Sequence, residues 1–358
     1  MRILGTIAAL AVTGCVTAED NARPTTTASA AGTPIANSTD GEVATLKILT
    51  TLPSSSALME SFNSIFVGGV NRQCADLVQV KVVADRNTVH PRKALSRVQD
   101  GEFDIVHAPA AYFVGSIPES IAMQGANRAV SQIHANGGFA LLQRAFHAKA
   151  KTRLIAWGEA SAGYNLFLTR VPKFDRFGVP DLTGMRIRGT STYRLFLRAM
   201  KASTVNVRSS GIGAMLSEGR IQGVALPNAD ANVGRLSSTL KFVISPAFYR
   251  INTVVVANIR RFEKLNARQK ACISSAARTY EKESGKFIAG RIAANMQRFT
   301  GGGGRVIQLS PVAANRCLTI AYRTKWSDFL RRVPDGANLQ RLLYIPLPDE
   351  QSALAGNN

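Results

Sequence analysis

The densest chemistry in this sequence is the run Asp181-Leu182-Thr183-Gly184-Met185-Arg186-Ile187-Arg188-Gly189-Thr190. It reads as a turn, a short strand, and a helix beginning at Thr190 or Ser191. Side chains alternate along a strand, so Arg186 and Arg188 share one face while Met185 and Ile187 take the other. An arginine at a strand end beside a helix start suits a carboxylate. Its guanidinium offers two parallel charge-assisted hydrogen bonds, and the helix end adds favourable potential. For either arginine taken alone, a solvated surface charge is the simpler reading.

Catalysis has no comparable pattern. There is no HExxH, CxxC, Walker-type phosphate loop or GxSxG, and Gly158-Glu159-Ala160-Ser161-Ala162-Gly163 lacks the spacing of a nucleophile elbow. The histidines, His90, His107, His134 and His147, are well separated. His107 stands near a strand end where it could face a cleft, although a satisfied structural histidine is the simpler reading. The glycines at 301–304 follow a long helix instead of opening one, so they connect elements and do not cradle an anion. No catalytic residue, metal set or cofactor is expected.

The bulk of the chain narrows the class. With 358 residues, 46% hydrophobic and 19% charged, it can bury one large core or two ordinary ones. The net charge of +21 favours anionic partners, or simply a basic, solvated surface. Lys and Arg are spread along the whole chain without a basic aromatic stripe or reader motif, so no nucleic-acid partner is expected. Arg2, an apolar run from residue 3 to 12 and small residues after it form a signal peptide over residues 1–14, too short to span a bilayer. Val12-Thr13-Gly14-Cys15 is similar to a bacterial lipobox, which would make Cys15 a lipidated N-terminus; ordinary cleavage near Ala18 is the alternative. Residues 15–44 have the composition of a flexible linker. The remaining cysteines are Cys74, Cys272 and Cys317. In an oxidising compartment they leave one disulfide and a spare thiol, with the pair open, or three buried thiols.

The elements that must position Arg188 follow a βαβ rhythm. Residues 46–50 and 77–83 read as strands, 91–99 as a helix stopped by Gly101, and 103–106 as a strand ending near Pro109. A second unit follows: strand at 204–207, helix at 211–218, stop at Gly219, strand at 221–226. Its GRIQGVALP (219–227) matches GEFDIVHAP (101–109) with the same Gly-to-Pro interval, which implies two α/β lobes of related topology. Later come a fully apolar strand at 253–258, a long helix over 266–299, a strand at 305–308 and a helix over 311–330. Residues 335–358 look irregular.

The segment 46–326 resembles the substrate-binding proteins of TRAP (tripartite ATP-independent periplasmic) transporters, DctP type. DLTGMRIRG (181–189) is similar to the family's DLKGLKIR, and AMLSEGRIQGVALP (214–227) to its ALQTGVVDGQENP. Leu52-Pro53, the strand opening at Gly101, the Ile117-Pro118-Glu119 turn and Trp157 agree as well. The resemblance implies a two-lobed α/β fold of the periplasmic solute-binding type: mixed sheets flanked by helices, a ligand cleft between lobes, and a long hinge-spanning helix. The first lobe would take 45–163 with 252–289, the second 164–251 with 290–330, and 331–358 would be a C-terminal tail. It further implies a periplasmic protein that closes on a small organic acid and delivers it to the membrane permease subunits of a TRAP transporter; the lipobox at Cys15 would make it membrane-anchored. A tethered binding or sensor protein uncoupled from uptake, and a periplasmic enzyme, are the alternatives.

Carried over by position, Arg188 matches the arginine that clamps the ligand carboxylate in that family, while Arg186 falls where a surface lysine is usual. Strand-end topology adds Ser54, Ser55, Ala110, Tyr112, Tyr164, Thr190 and Asn228 as pocket residues. Two departures stand out. The family's QEN is Val224-Ala225-Leu226 here, and its second arginine has no clear counterpart near Tyr164 and Asn165. Both point to a less polar monocarboxylate rather than a sugar acid or dicarboxylate.

Overall fold

Runs such as Leu46-Lys47-Ile48-Leu49 and Thr253-Val254-Val255-Val256 are rich in β-branched and apolar residues and bury themselves as strands. In the computed structural model, which describes residues 42–229 and 238–355, such runs build two separate mixed sheets. Along the chain the strands are β1 (Ala44–Thr50), β2 (Val78–Ala84), β3 (Ile105–Pro109), β4 (Thr152–Gly158), β5 (Gly163–Leu168), the small hairpin β6 (Lys173–Phe174) and β7 (Pro180–Asp181), β8 (Arg186–Arg188), β9 (Ser203–Val205), β10 (Gly223–Pro227), β11 (Phe242–Arg250), β12 (Thr253–Asn258) and β13 (Arg305–Gln308). The first sheet has the order β2-β1-β3-β12-β4, the second β13-β11-β5-β10-β8-β9.

The two sheets repeat one plan. In each, a first strand (β1 or β8) lies parallel between the next two, which a helix connects: β2 and β3, or β9 and β10. An antiparallel strand then follows, β12 beside β3 and β5 beside β10. The two stop glycines keep their role. Gly101 and Gly219 take φ of +83° and +65°, which only glycine adopts at low cost, and β3 and β10 begin four residues later. The expected βαβ units are present with one difference: the strands they connect are not neighbours, because β1 and β8 sit between them.

The chain crosses between sheets twice, from β4 to β5 and from β11 to β12. Two helices cross as well. The long helix Ala267–Gly301, capped by Asn266 with Gln269 in reciprocal bonds, packs Ile273, Ala277 and Tyr280 on the first sheet and Phe299 against Phe167 and Val243 of the second. The helix Pro311–Arg332 packs Ala313, Cys317 and Ala321 on the second lobe but Trp326 and Phe329 in the core of the first. It therefore spans both lobes, where the sequence assigned residues 290–330 to the second alone.

The C-terminal end also differs from expectation. The described part of the segment read as irregular, residues 335–355, is helical instead: helices Ala337–Leu343 and Pro348–Ala355 follow, and Leu339, Leu343 and Tyr344 enter the first lobe's core. Seven residues carry too short an apolar stripe to announce a helix, and tertiary burial supplies the stability. Cys74 and Cys272 form a disulfide that ties a first-lobe helix end to the long helix, and Cys317 remains a free, buried thiol that burial pushes up to about 12. The expected signal peptide, the lipidated Cys15 and the linker as far as residue 41 lie outside the described residues. No helix among the described residues is long and apolar enough to cross a membrane.

Candidate functional site

Arg188 ends the three-residue strand β8, whose central Ile187 is buried in the second lobe. Gly189 follows, and a side chain there would come within 2.9 Å of Thr204, so the chain can turn closely against β9. The Arg188 side chain is half-buried and firmly held. Its Nε donates to the Val207 carbonyl at 3.0 Å, Nη1 to the Tyr193 hydroxyl at 3.0 Å, and Nη2 to Ser209 Oγ at 3.5 Å. The Tyr193 hydroxyl in turn donates to the Ala225 carbonyl at 2.9 Å. A guanidinium carries five N–H groups. Two of those on Arg188 therefore lack a partner among the described residues, and no carboxylate pairs with it there.

A cluster of aromatic rings extends from Tyr193. Tyr164 on β5 stands 5.6 Å from Tyr193 and 6.1 Å from Phe248, centroid to centroid. Burial raises the Tyr164 hydroxyl above its ordinary range, the neighbouring Tyr193 and Tyr112 add to this, and Arg188 opposes it. Tyr112 belongs to the short turn Ala110–Phe113 after β3, and the residue is 39% exposed. The structure thus groups Arg188, Tyr164 and Tyr193 within the second lobe, while Tyr112 of the first lobe acts on Tyr164 electrostatically.

Other expected residues fare differently. Ser54 and Ser55 are exposed on the loop after β1. Arg186 is exposed too, with Nη2 on the Gly219 carbonyl at 3.1 Å and its backbone N–H on Gln222 Oε1 at 2.9 Å, so it braces the turn before β10. Thr190 is half-buried and opens a turn, not a helix. The helix begins only at Arg194, and the Tyr193 hydroxyl takes the place expected for a helix end beside Arg188. Ala110 is wholly buried in the first lobe's core, and its N–H is bound to the Asn252 carbonyl at 2.9 Å, so it presents nothing to a ligand. Asn228 is buried at the crossing: its Oδ1 accepts from the Gly163 N–H at 3.1 Å and its carbonyl from Asn295 Nδ2 at 3.2 Å. It braces the hinge and leaves only its own amide N–H groups for other partners.

Several polar groups between the lobes escaped the sequence. Lys325 is 3% exposed; its ammonium donates to Gln124 Oε1 of the first lobe at 2.9 Å and to the Thr192 carbonyl of the second at 2.6 Å, 4.3 Å from the Tyr249 ring centroid. Burial pulls it down to about 7. The only sequence signal was a lysine on the apolar face that holds Ala321 and Phe329. At the first crossing Glu159 is fully buried with φ +52°. Its carboxyl accepts from the Tyr280 hydroxyl at 2.6 Å and from Thr253, and burial raises it to about 7. Gly158 leaves the space that the Tyr280 ring fills. His107 stacks on Phe62 at 3.7 Å and burial holds it neutral, down to about 3, so it is a core residue. Among the described residues no group of three or more His, Cys, Asp or Glu is placed to hold a metal ion.

No family model matches this chain. Its fold, however, is that of the two-lobed TRAP periplasmic solute-binding proteins. It is similar to DctP7 of Bordetella pertussis, an extracytoplasmic solute receptor binding pyroglutamic acid, with a TM-score of 0.67, 18% identity, and coverage of 84% of this chain and 98% of that one. A TRAP periplasmic solute-binding protein from Ochrobactrum anthropi gives a TM-score of 0.73 at 18% identity over 88% of this chain and 97% of that one. One from Desulfovibrio desulfuricans with bound sn-glycerol-3-phosphate gives 0.70 at 15% identity over 84% and 96%.

Proposed function

We propose that this protein is an extracytoplasmic solute-binding protein of the TRAP type, which captures a small carboxylate by hinge closure and passes it to a membrane permease. One observation carries the reading: a guanidinium braced by three hydrogen bonds, with two N–H groups left over, stands beside Tyr193 and Tyr164 and has no carboxylate partner among the described residues. A ligand acid there would contact both lobes and so favour the closed form by its differential affinity. The anionic ligands of the similar structures support it: pyroglutamic acid, sn-glycerol-3-phosphate, and β-D-galacturonate in a protein from Sulfitobacter. Val224 and Leu226 stand where the resembling family carries polar residues, but both are packed in the second lobe's core with Phe167, Ile212 and Phe299, so the ligand's polarity is left to the residues around Arg188. The Cys74–Cys272 disulfide fits an oxidising compartment.

A thermal-shift screen of the full chain against monocarboxylates, amino acids and sugar acids tests this. A ligand of the first class should raise the melting temperature, because it binds only the folded form; no shift with any organic acid contradicts the reading. Cys15 would carry the lipid. Metabolic labelling with a radioactive fatty acid should mark the wild type and spare Cys15→Ser; equal labelling of both removes the anchor.

A further inference from the structure

A cavity of about 720 Å³ lies against the hinge, and none of the residues around Arg188 lines it. Its walls come from residues 129–134 of the first lobe, from Ala160 and Ser161 at the first crossing, from Arg250 at the second crossing, and from the face of the long helix that carries Arg278 and Lys282. Ser161 Oγ is bonded to the Gly285 carbonyl at 2.9 Å, which fastens the first crossing to that helix. The cavity therefore touches both chain crossings and a helix that spans the lobes.

Its charge is out of balance. Glu281 is the single acid in the lining, and its oxygens are already engaged by the Trp157 N–H at 3.0 Å, His134 Nε2 at 2.9 Å and Arg278 at 3.4 Å. Arg250 donates to the Arg128 carbonyl and meets no carboxylate among the described residues. Lys282 is exposed at the rim, also without an acid there. Burial alone disfavours the Arg250 charge, and a desolvated guanidinium without a counter-ion is costly to keep. Its planar fork matches a carboxylate, while Ala129, Val130 and Ala160 offer an apolar floor beside it.

We propose that this cavity is a second, hinge-side binding site for an amphiphilic monocarboxylate, whose carboxylate pairs with Arg250 and whose apolar body lies on Ala129, Val130 and Ala160. Occupancy would contact both crossings at once and bias the open–closed equilibrium. The site is independent of Arg188 and can be tested with the cleft disabled. Titration calorimetry of full-chain Arg188→Ala with octanoate as probe should show one bound molecule per chain. Arg250→Gln added to that background should weaken it about tenfold or more. Ser131→Glu, an exposed change at the rim that leaves the core untouched, should weaken it as well by placing a negative charge at the mouth. Inorganic phosphate should neither bind nor compete at equal concentration. Absence of octanoate binding, indifference to both substitutions, or phosphate binding in its place would each overturn the proposal.

Discussion

Single side chains hold the hinge of this molecule together, and Glu159 shows it most clearly. A carboxyl with no water around it is disfavoured when charged, and burial outweighs the hydrogen bonds from Thr253 and Tyr280 that favour the charged form. With the folded value near 7 against an ordinary 4.5, the folded protein holds a proton that the unfolded chain has released between those limits. Stability should therefore fall as pH rises from about 4.5 to about 7, by roughly 3 kcal/mol at full effect. Glu159→Gln keeps the shape and cannot ionise, so the difference in melting temperature between wild type and variant should shift against the wild type over that window. A constant difference from pH 4.5 to 7 would show that Glu159 does not titrate there. Little of this was legible. A lone Glu between Gly158 and Ala160 looks like a loop residue, and only the return of β12 beside β4 brings Thr253 to it.

At the scale of elements, the repeated strand, stop glycine and strand-ending proline made both halves of the fold readable, because local chain geometry sets them. What stayed hidden depends on distant packing. The insertion of β1 and β8 between later strands is set by tertiary pairing. The helix at Arg194 starts late because the segment from Thr190 to Tyr193 is held by Arg188 and by Lys325. The Pro311–Arg332 helix crosses the lobes because one stretch of its apolar stripe meets each core, and sequence period alone cannot say which core. Lys325 sits at that passage. Its folded value near 7 lies below the ordinary 10.5, so the unfolded chain holds the proton that the folded protein lacks between pH 7 and 10.5. Stability should rise with pH across that window, opposite in sign to Glu159. Lys325→Met should remove the rise; denaturation midpoints from pH 7 to 10 that keep it in the variant would assign it to another group.

For the whole molecule, the +21 charge explains less than the placement of a few cations. Bulk charge draws anions to the surface without choosing among them. On the proposed function, selection would fall to the guanidinium at position 188, which is braced and half-buried. Its place at the end of β8 was readable from alternation and from the resemblance of its segment. Its bracing by Val207, Tyr193 and Ser209 was not, since the first and last depend on where the loop after β9 folds back and the Tyr193 contact on the turn before the helix at Arg194. Arg186, two residues away on the same strand, is engaged by the turn at Gly219 and serves as an internal control.

The most direct measurement is calorimetric affinity of the full chain for the organic acid that gives the largest thermal shift, in wild type, Arg188→Ala and Arg186→Ala. Truncating a partner of a desolvated charge pair costs about 2–5 kcal/mol, so Arg188→Ala should bind about 30-fold more weakly or worse while Arg186→Ala binds as wild type. Small and equal effects of the two substitutions would contradict the account.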